Sequence, residues 1–272
     1  YSIRVQTDDG NGGTFEKTFI ITVTVTINEG YRPFTLRYQT NIVGDMRTIG
    51  NTILVAPQNN GSADCSTYTD GAYIDDATSS NANYNLCAYH ADSNVNFPTT
   101  KAQLPLPNDP SLTVKWAGLY WQALVDDNYN ISSMQIKIKH ENDSSYNTIG
   151  FDQLDWGDGV GHSGQISYSA FKDVTNLFVN NGWKHGDITV GNIPVIEGKI
   201  STLGTYGAWS LVVVYEQMSE ELRNVTIYDG WQQVDSTNAE VDISIADFIT
   251  PKSTPISAEI SVFAAEGDKH IN

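Results

Sequence analysis

The sequence predicts an all-β chain: a β-sandwich or jelly-roll-like domain with one short helix, preceded by a two-stranded hairpin. Three observations point there. Short runs of alternating apolar and polar residues recur along the 272 residues, separated by clusters of Asn, Asp, Gly and Pro. That period and punctuation belong to strands and turns. Two runs, KWAGLYW (115–121) and AWSLVVVYE (208–216), are apolar almost throughout and read as central strands buried on both faces. A helical period stands out once, in SYSAFKDVTNLFVNNG (167–182).

In chain order, Tyr1, Ile3 and Val5 alternate with Ser2, Arg4 and Gln6 before the turn TDDGNGG. Phe19, Ile21, Val23, Val25 and Ile27 then make one face of a second strand and Thr22, Thr24 and Thr26 the other. Two strands alone bury too little surface to be stable, so this hairpin must join a larger sheet or lend its strands elsewhere. Further strands are expected at 33–39, 52–56, 112–121, 133–139, 187–193, 208–216, 223–233, 240–246 and 256–264, a spacing that suits a sandwich. In the helix, Phe171, Val174, Leu177 and Phe178 would share one face, with Ser169 capping the start and Gly182 the end.

Composition removes several functions. The chain carries 15 Lys and Arg against 32 Asp and Glu, a formal charge of −17, so it lacks the basic surface that nucleic-acid binding draws on. No apolar run approaches the roughly 18–20 residues of a membrane span. An acidic surface suits divalent cations. The two cysteines, Cys65 and Cys87, lie in a Tyr- and Asn-rich stretch without a zinc spacing. A disulfide between them, favouring an oxidising compartment, is preferred over two buried thiols. The chain reads as a piece of a longer protein, and its own fold is expected to continue past residue 272.

The segments YSIRVQTDDGNGG and FIITVTVTINEG resemble the end of a cadherin-like repeat of the kind strung along large bacterial surface adhesins. The resemblance implies that residues 1–30 are the terminal hairpin of such a repeat, and that Asp8, and more weakly Asn28 and Glu29, bind calcium. GDMRTIGNTILV, KWAGLYW, AFKDVTNLF, AWSLVVVYE and LRNVTIYDGW resemble a module of long secreted or surface-anchored bacterial proteins, covering residues 44–268. That resemblance implies location and architecture, with residues 31–272 as one β-sandwich module truncated at its C-terminus.

The sharpest chemical signal is FDQLDWGDGVGHSG, where Asp152, Asp155 and Asp158 recur every three residues in what reads as a Gly-rich loop. Calcium takes six to eight oxygens, and a folded-back acidic loop is one way to supply them; a solvated turn is the competing reading. Gly159, Gly161 and Gly164 match a dinucleotide-loop spacing, yet the adjacent aspartates would repel phosphate. Inside the Cys65–Cys87 interval, Asp70, Asp75 and Asp76 interleave with Tyr68, Tyr73 and Tyr84, a composition shared with recognition loops. Trp156, among acidic and glycine neighbours, is a candidate flat face for a sugar or peptide, together with Tyr68 and Tyr73. The five histidines are scattered without a zinc-hydrolase spacing, and no GxSxG elbow occurs.

These features predict a non-catalytic extracellular module of a bacterial surface adhesin, stiffened by calcium, with loops that bind a glycan or peptide. One alternative is a structural subunit of an extracellular filament, assembled with neighbouring copies by strand addition. The other is a carboxylate-dependent glycoside hydrolase, whose two acids would meet only in the fold.

Overall fold

The computed structural model describes residues 2–8, 14–20, 26–57, 65, 71–72, 85–158, 164–198, 204–232, 242–243 and 258–264. The main sheet is built around the two apolar runs. Its strands, numbered in chain order, lie side by side as Leu222–Trp231 (β16), Arg32–Thr52 (β4), Gly207–Glu216 (β15), Thr113–Asp126 (β9), Gln165–Asp173 (β13), Gln153–Asp158 (β12) and Thr26–Glu29 (β3). Every pairing is antiparallel except β12 with β3. β4 pairs with β16 through residues 32–43 and with β15 through residues 44–52.

Successive side chains of β9 and β15 supply both faces of this sheet, which explains why neither run alternates in polarity. Leu119, Trp121, Trp209, Leu211, Val213 and Tyr215 face the principal core and are fully buried. Trp116 and Val214 point the other way, with Ile42, Phe171 and Val225, into a smaller second cluster. Trp116 stacks on Tyr38 at 5.1 Å between ring centres. Its ring lies over Gly118, where any Cβ would run into it.

The main sheet is curled. At about 4.8 Å between neighbours, the four steps from β4 to β12 would separate them by roughly 19 Å in a flat sheet. Yet Arg32 of β4 contacts Asp155 of β12 at 2.9 Å. The chain itself joins the two sides, since β3 runs through Gly30 into β4, and the Gly30 N–H donates to the Trp156 carbonyl at 2.8 Å. Gly30 has φ 85°, a conformation that glycine adopts without strain.

A second sheet covers the principal core, in the order Asn147–Ile149 (β11), Ile136–His140 (β10), Gly186–Gly191 (β14) and Thr99–Leu104 (β8). Ile136, Ile138, Ile188, Val190 and Leu104 face inward with no exposure. IKIKH in β10 thus presents isoleucines to the core and lysines outward. Small ladders complete the described strands: Leu54–Pro57 (β5) with Gly71–Ala72 (β6) and Cys87–Ala88 (β7), and Ser2–Asp8 (β1) with Thr14–Ile20 (β2).

The all-β sandwich-like class with one short α-helix is therefore observed, but some elements differ from expectation. The helix is only Thr175–Asn181 (α1), ended by Gly182 at φ 66° as anticipated. Ser169 and Phe171 belong instead to β13, and Val174 occupies the N-cap position. Being paired on both sides, β13 gains two ladders of hydrogen bonds, and these outweigh the local helical period. β8, β12, β13 and residues 40–51 of β4 were not anticipated as strands. Of the expected strand 256–264, residues 258–264 are described, and they are not in a strand. Of 240–246, only 242 and 243 are described, and they are not in a strand.

Candidate functional site

Two polar constellations stand out. The first lies on the concave face of the curl. Arg32, at the start of β4, reaches Asp155 of β12 through Nε and Nη2, each 2.9 Å from Oδ2, and reaches Asp229 of β16 through Nη1 at 3.0 Å. Asp229 also accepts from Arg37 Nε at 2.6 Å and Nη2 at 3.0 Å, and from the Tyr120 hydroxyl at 3.2 Å. Gln153 donates to Asp155 at 3.0 Å, and the Arg37 guanidinium lies 4.3 Å over the Phe171 ring.

The electrostatics follow from the geometry. Burial opposes the Arg32 charge, but Asp155 and Asp229 more than compensate and raise its pKa above the ordinary value. Burial, reinforced by Asp229, pushes the Tyr120 phenol far up, so it stays protonated and donates to Asp229. Two guanidiniums balance two carboxylates. Each carboxylate accepts from guanidinium donors, an arrangement that fastens β4, β12 and β16 together.

The second constellation is a surface groove of about 250 Å³, lined by Asp92, Asn94, Lys101, Lys139, Glu141 and Asp187 among others. Because β10, β14 and β8 turn their isoleucines, valine and leucine into the core, the intervening lysines, Asp187 and Thr189 must face outward. Lys101 pairs with Asp187 at 2.7 Å, and Lys139 with Asp92 at 2.8 Å. The Tyr146 hydroxyl donates to Asp92 at 2.8 Å, its ring lies 4.5 Å beneath the Lys139 ammonium, and Phe97 meets it edge-on at 5.2 Å. Glu141 accepts from the Asp187 N–H at 2.8 Å through Oε2. Lys139, then Tyr146 and the Asn94 N–H, hold the Asp92 carboxyl well below the usual carboxylate range. Charged donors and acceptors thus alternate across the groove beside an aromatic pair.

The residues singled out from sequence are dispersed. Asp155 and Asp158 lie in strand β12 and Asp152 just before it, rather than in a loop, and three-residue spacing sends the side chains of Asp152 and Asp155 to opposite faces. Asp152 pairs with Lys172 at 2.6 Å and accepts the Asp173 N–H, while Asp155, 2 % exposed, is committed to Arg32. These two carboxylates are therefore not gathered around one cation. Trp156 is half-buried, packed against the principal core from β12. Asp8 ends β1, and Asn28 and Glu29 lie in β3, opposite Asp155 and Trp156; their side chains, and that of Asp158, fall outside the described residues. So do Tyr68 and Tyr73 altogether.

Cys65 and Cys87 form the expected disulfide, with Cα atoms 5.2 Å apart. The Glu197 carboxylate lies beside the two sulfurs and accepts the Ala88 N–H at 3.0 Å. Bonded sulfurs are not thiolates, so this trio is no metal site while the bridge stands. Neither constellation has a compact motif. Arg32, Asp155 and Asp229 are 123 and 74 residues apart along the chain, and only the alternating IKIKH hinted that lysines would share an exposed face. Comparison of the chain with known families, characterised proteins and solved structures finds no match.

Proposed function

We propose that this chain is a non-catalytic extracellular module of a bacterial surface adhesin that binds a glycan in the groove on its second sheet. The observation that carries this reading is the groove itself, with paired Lys101–Asp187 and Lys139–Asp92 beside Tyr146, where strands β8, β10 and β14 meet the turns that carry Asp92, Glu141 and Tyr146. Sugar hydroxyls both donate and accept, so they match a surface that alternates ammonium and carboxylate groups. The Cys65–Cys87 bridge supports an oxidising, extracytoplasmic setting. Calcium would stiffen the N-terminal region through Asp8, Asn28 and Glu29, as the cadherin-like resemblance implies.

The test is a glycan array with the wild type and the double variant Lys101→Ala/Glu141→Gln, whose side chains line the groove without entering the core. Retention of specific glycans by the wild type, weakened about tenfold or more in the variant, is expected. Equal binding by both proteins, or binding to peptides alone, would overturn the assignment. The hydrolase alternative gains nothing from Asp155 and Asp229, because both are occupied by arginine donors.

A further inference from the structure

Among the described residues, one group of three metal-ligating side chains has its donor atoms within 4.8 Å of one another: the sulfurs of Cys65 and Cys87 and a carboxylate oxygen of Glu197. In the oxidised chain the sulfurs are bonded to each other and lack the thiolate charge that a metal takes. Both cysteines are made as thiols, so a reduced state precedes the bridge, and a dithiol reductant restores it. Two electrons and two protons then pass to the cysteines while the reductant closes its own disulfide.

Cys87 and Glu197 are placed by bonds that do not involve the bridge. Cys87 and Ala88, as β7, pair with Val55 and Leu54 of β5. Alongside, the Gly198 N–H donates to the Leu86 carbonyl at 2.7 Å, and the Leu86 N–H donates to the Gly198 carbonyl at 3.4 Å. The Ala88 N–H donates to Glu197 Oε2 at 3.0 Å, which aims the carboxylate at the cysteines. A carboxylate has a second oxygen, so holding Ala88 and ligating a metal are compatible. Cys65 supplies the remaining donor, its Cα 5.2 Å from that of Cys87. Once the bond is broken, side-chain rotation suffices to set the sulfurs about 3.7 Å apart, the separation of two thiolates on one tetrahedral zinc ion.

We infer that the reduced chain binds a zinc ion through the Cys65 and Cys87 thiolates and the Glu197 carboxylate, with water as the fourth ligand. Binding releases the two thiol protons. A disulfide-bearing oxidant, by taking two electrons from the thiolates, closes the bridge and frees the ion. Two thiolates with one carboxylate select a borderline-soft cation over calcium, which takes six to eight oxygens. The ion thus ties residue 65 to β7 where the covalent bridge is absent. The inference is independent of the groove and its ligand.

In the test, the full chain is reduced with a water-soluble phosphine, which leaves as its oxide, and is titrated without oxygen with cobalt(II) as a spectroscopic stand-in for zinc. A thiolate-to-cobalt charge-transfer band that saturates at a single ion per chain and is bleached by zinc is expected. Zinc should also raise the melting temperature of the reduced chain. Glu197→Gln keeps an oxygen for the Ala88 N–H but loses the charge, so it should weaken cobalt binding about tenfold or more. The oxidised variant should melt as the wild type does. Three results would each overturn the inference: no thiolate band in the reduced wild type; the same band in the oxidised protein; or equal affinity of wild type and Glu197→Gln, which means a cysteine pair acting without the carboxylate.

Discussion

Replacing Arg32 by Ala tests whether the concave-face network fastens the curl. Asp155 is only 2 % exposed and would lose the Nε and Nη2 donors at 2.9 Å, keeping Gln153 among the bonds described above. Asp229 would keep Arg37 and Tyr120, so the cost falls mainly on Asp155. Removing one partner of a buried ion pair costs about 3–5 kcal/mol. Arg32 retains 15 % side-chain exposure, so water can reach the gap and about 3 kcal/mol is expected. At about 2–4 °C per kcal/mol for a domain of this size, that is a fall of about 6–12 °C in melting temperature. Urea unfolding at neutral pH, with a thermal scan, measures both. Asp155→Ala should also destabilise, and the double variant should cost less than the sum by about 1–3 kcal/mol, because the residues share one interaction. Losses below about 1 kcal/mol in each single variant, or strict additivity, would refute the claim that this network holds β4 to β12.

Three further outcomes are expected. Reduction of Cys65–Cys87, or Cys87→Ser, should lower stability by about 3 kcal/mol through the loop released in the unfolded chain, and intact-mass analysis of unreduced protein should find no alkylatable thiol. Asp92 is depressed by Lys139, Tyr146 and Asn94, so its contribution is complete above the ordinary aspartate pKa near 4 and is lost as pH falls through its lower folded value. Denaturation midpoints of the wild type should therefore drop more steeply below about pH 4 than those of Asp92→Asn, and parallel curves would contradict the assignment. If calcium binds the N-terminal region, raising it a hundredfold above Kd should add about 2.7 kcal/mol, whereas identical melting in chelator and in millimolar calcium would remove the ion from the proposal.

The fold class and its centre were legible because they depend on local pattern. KWAGLYW and AWSLVVVYE had to be strands buried on both faces, whatever their neighbours, and they became β9 and β15 at the middle of the main sheet. Gly182 was legible as the helix stop, and the two cysteines as a pair, for similar reasons. Local pattern misled where pairing on both sides supplied the stronger term. Ser169 and Phe171 fall within the helix-like run, yet they belong to β13, which lies between β9 and β12. The acidic triplet reads as a cation loop or a solvated turn, and neither reading anticipates that the β12 register puts Asp155 against Arg32. By itself, then, the sequence determined which segments are apolar on one face or two, and hence the all-β class. Only the tertiary structure decided which charges meet, because curling the sheet brings Arg32, Asp155 and Asp229 together and sheet pairing aligns Lys101, Lys139 and Asp187. Such contacts depend on strand order and register, which no spacing along the chain encodes.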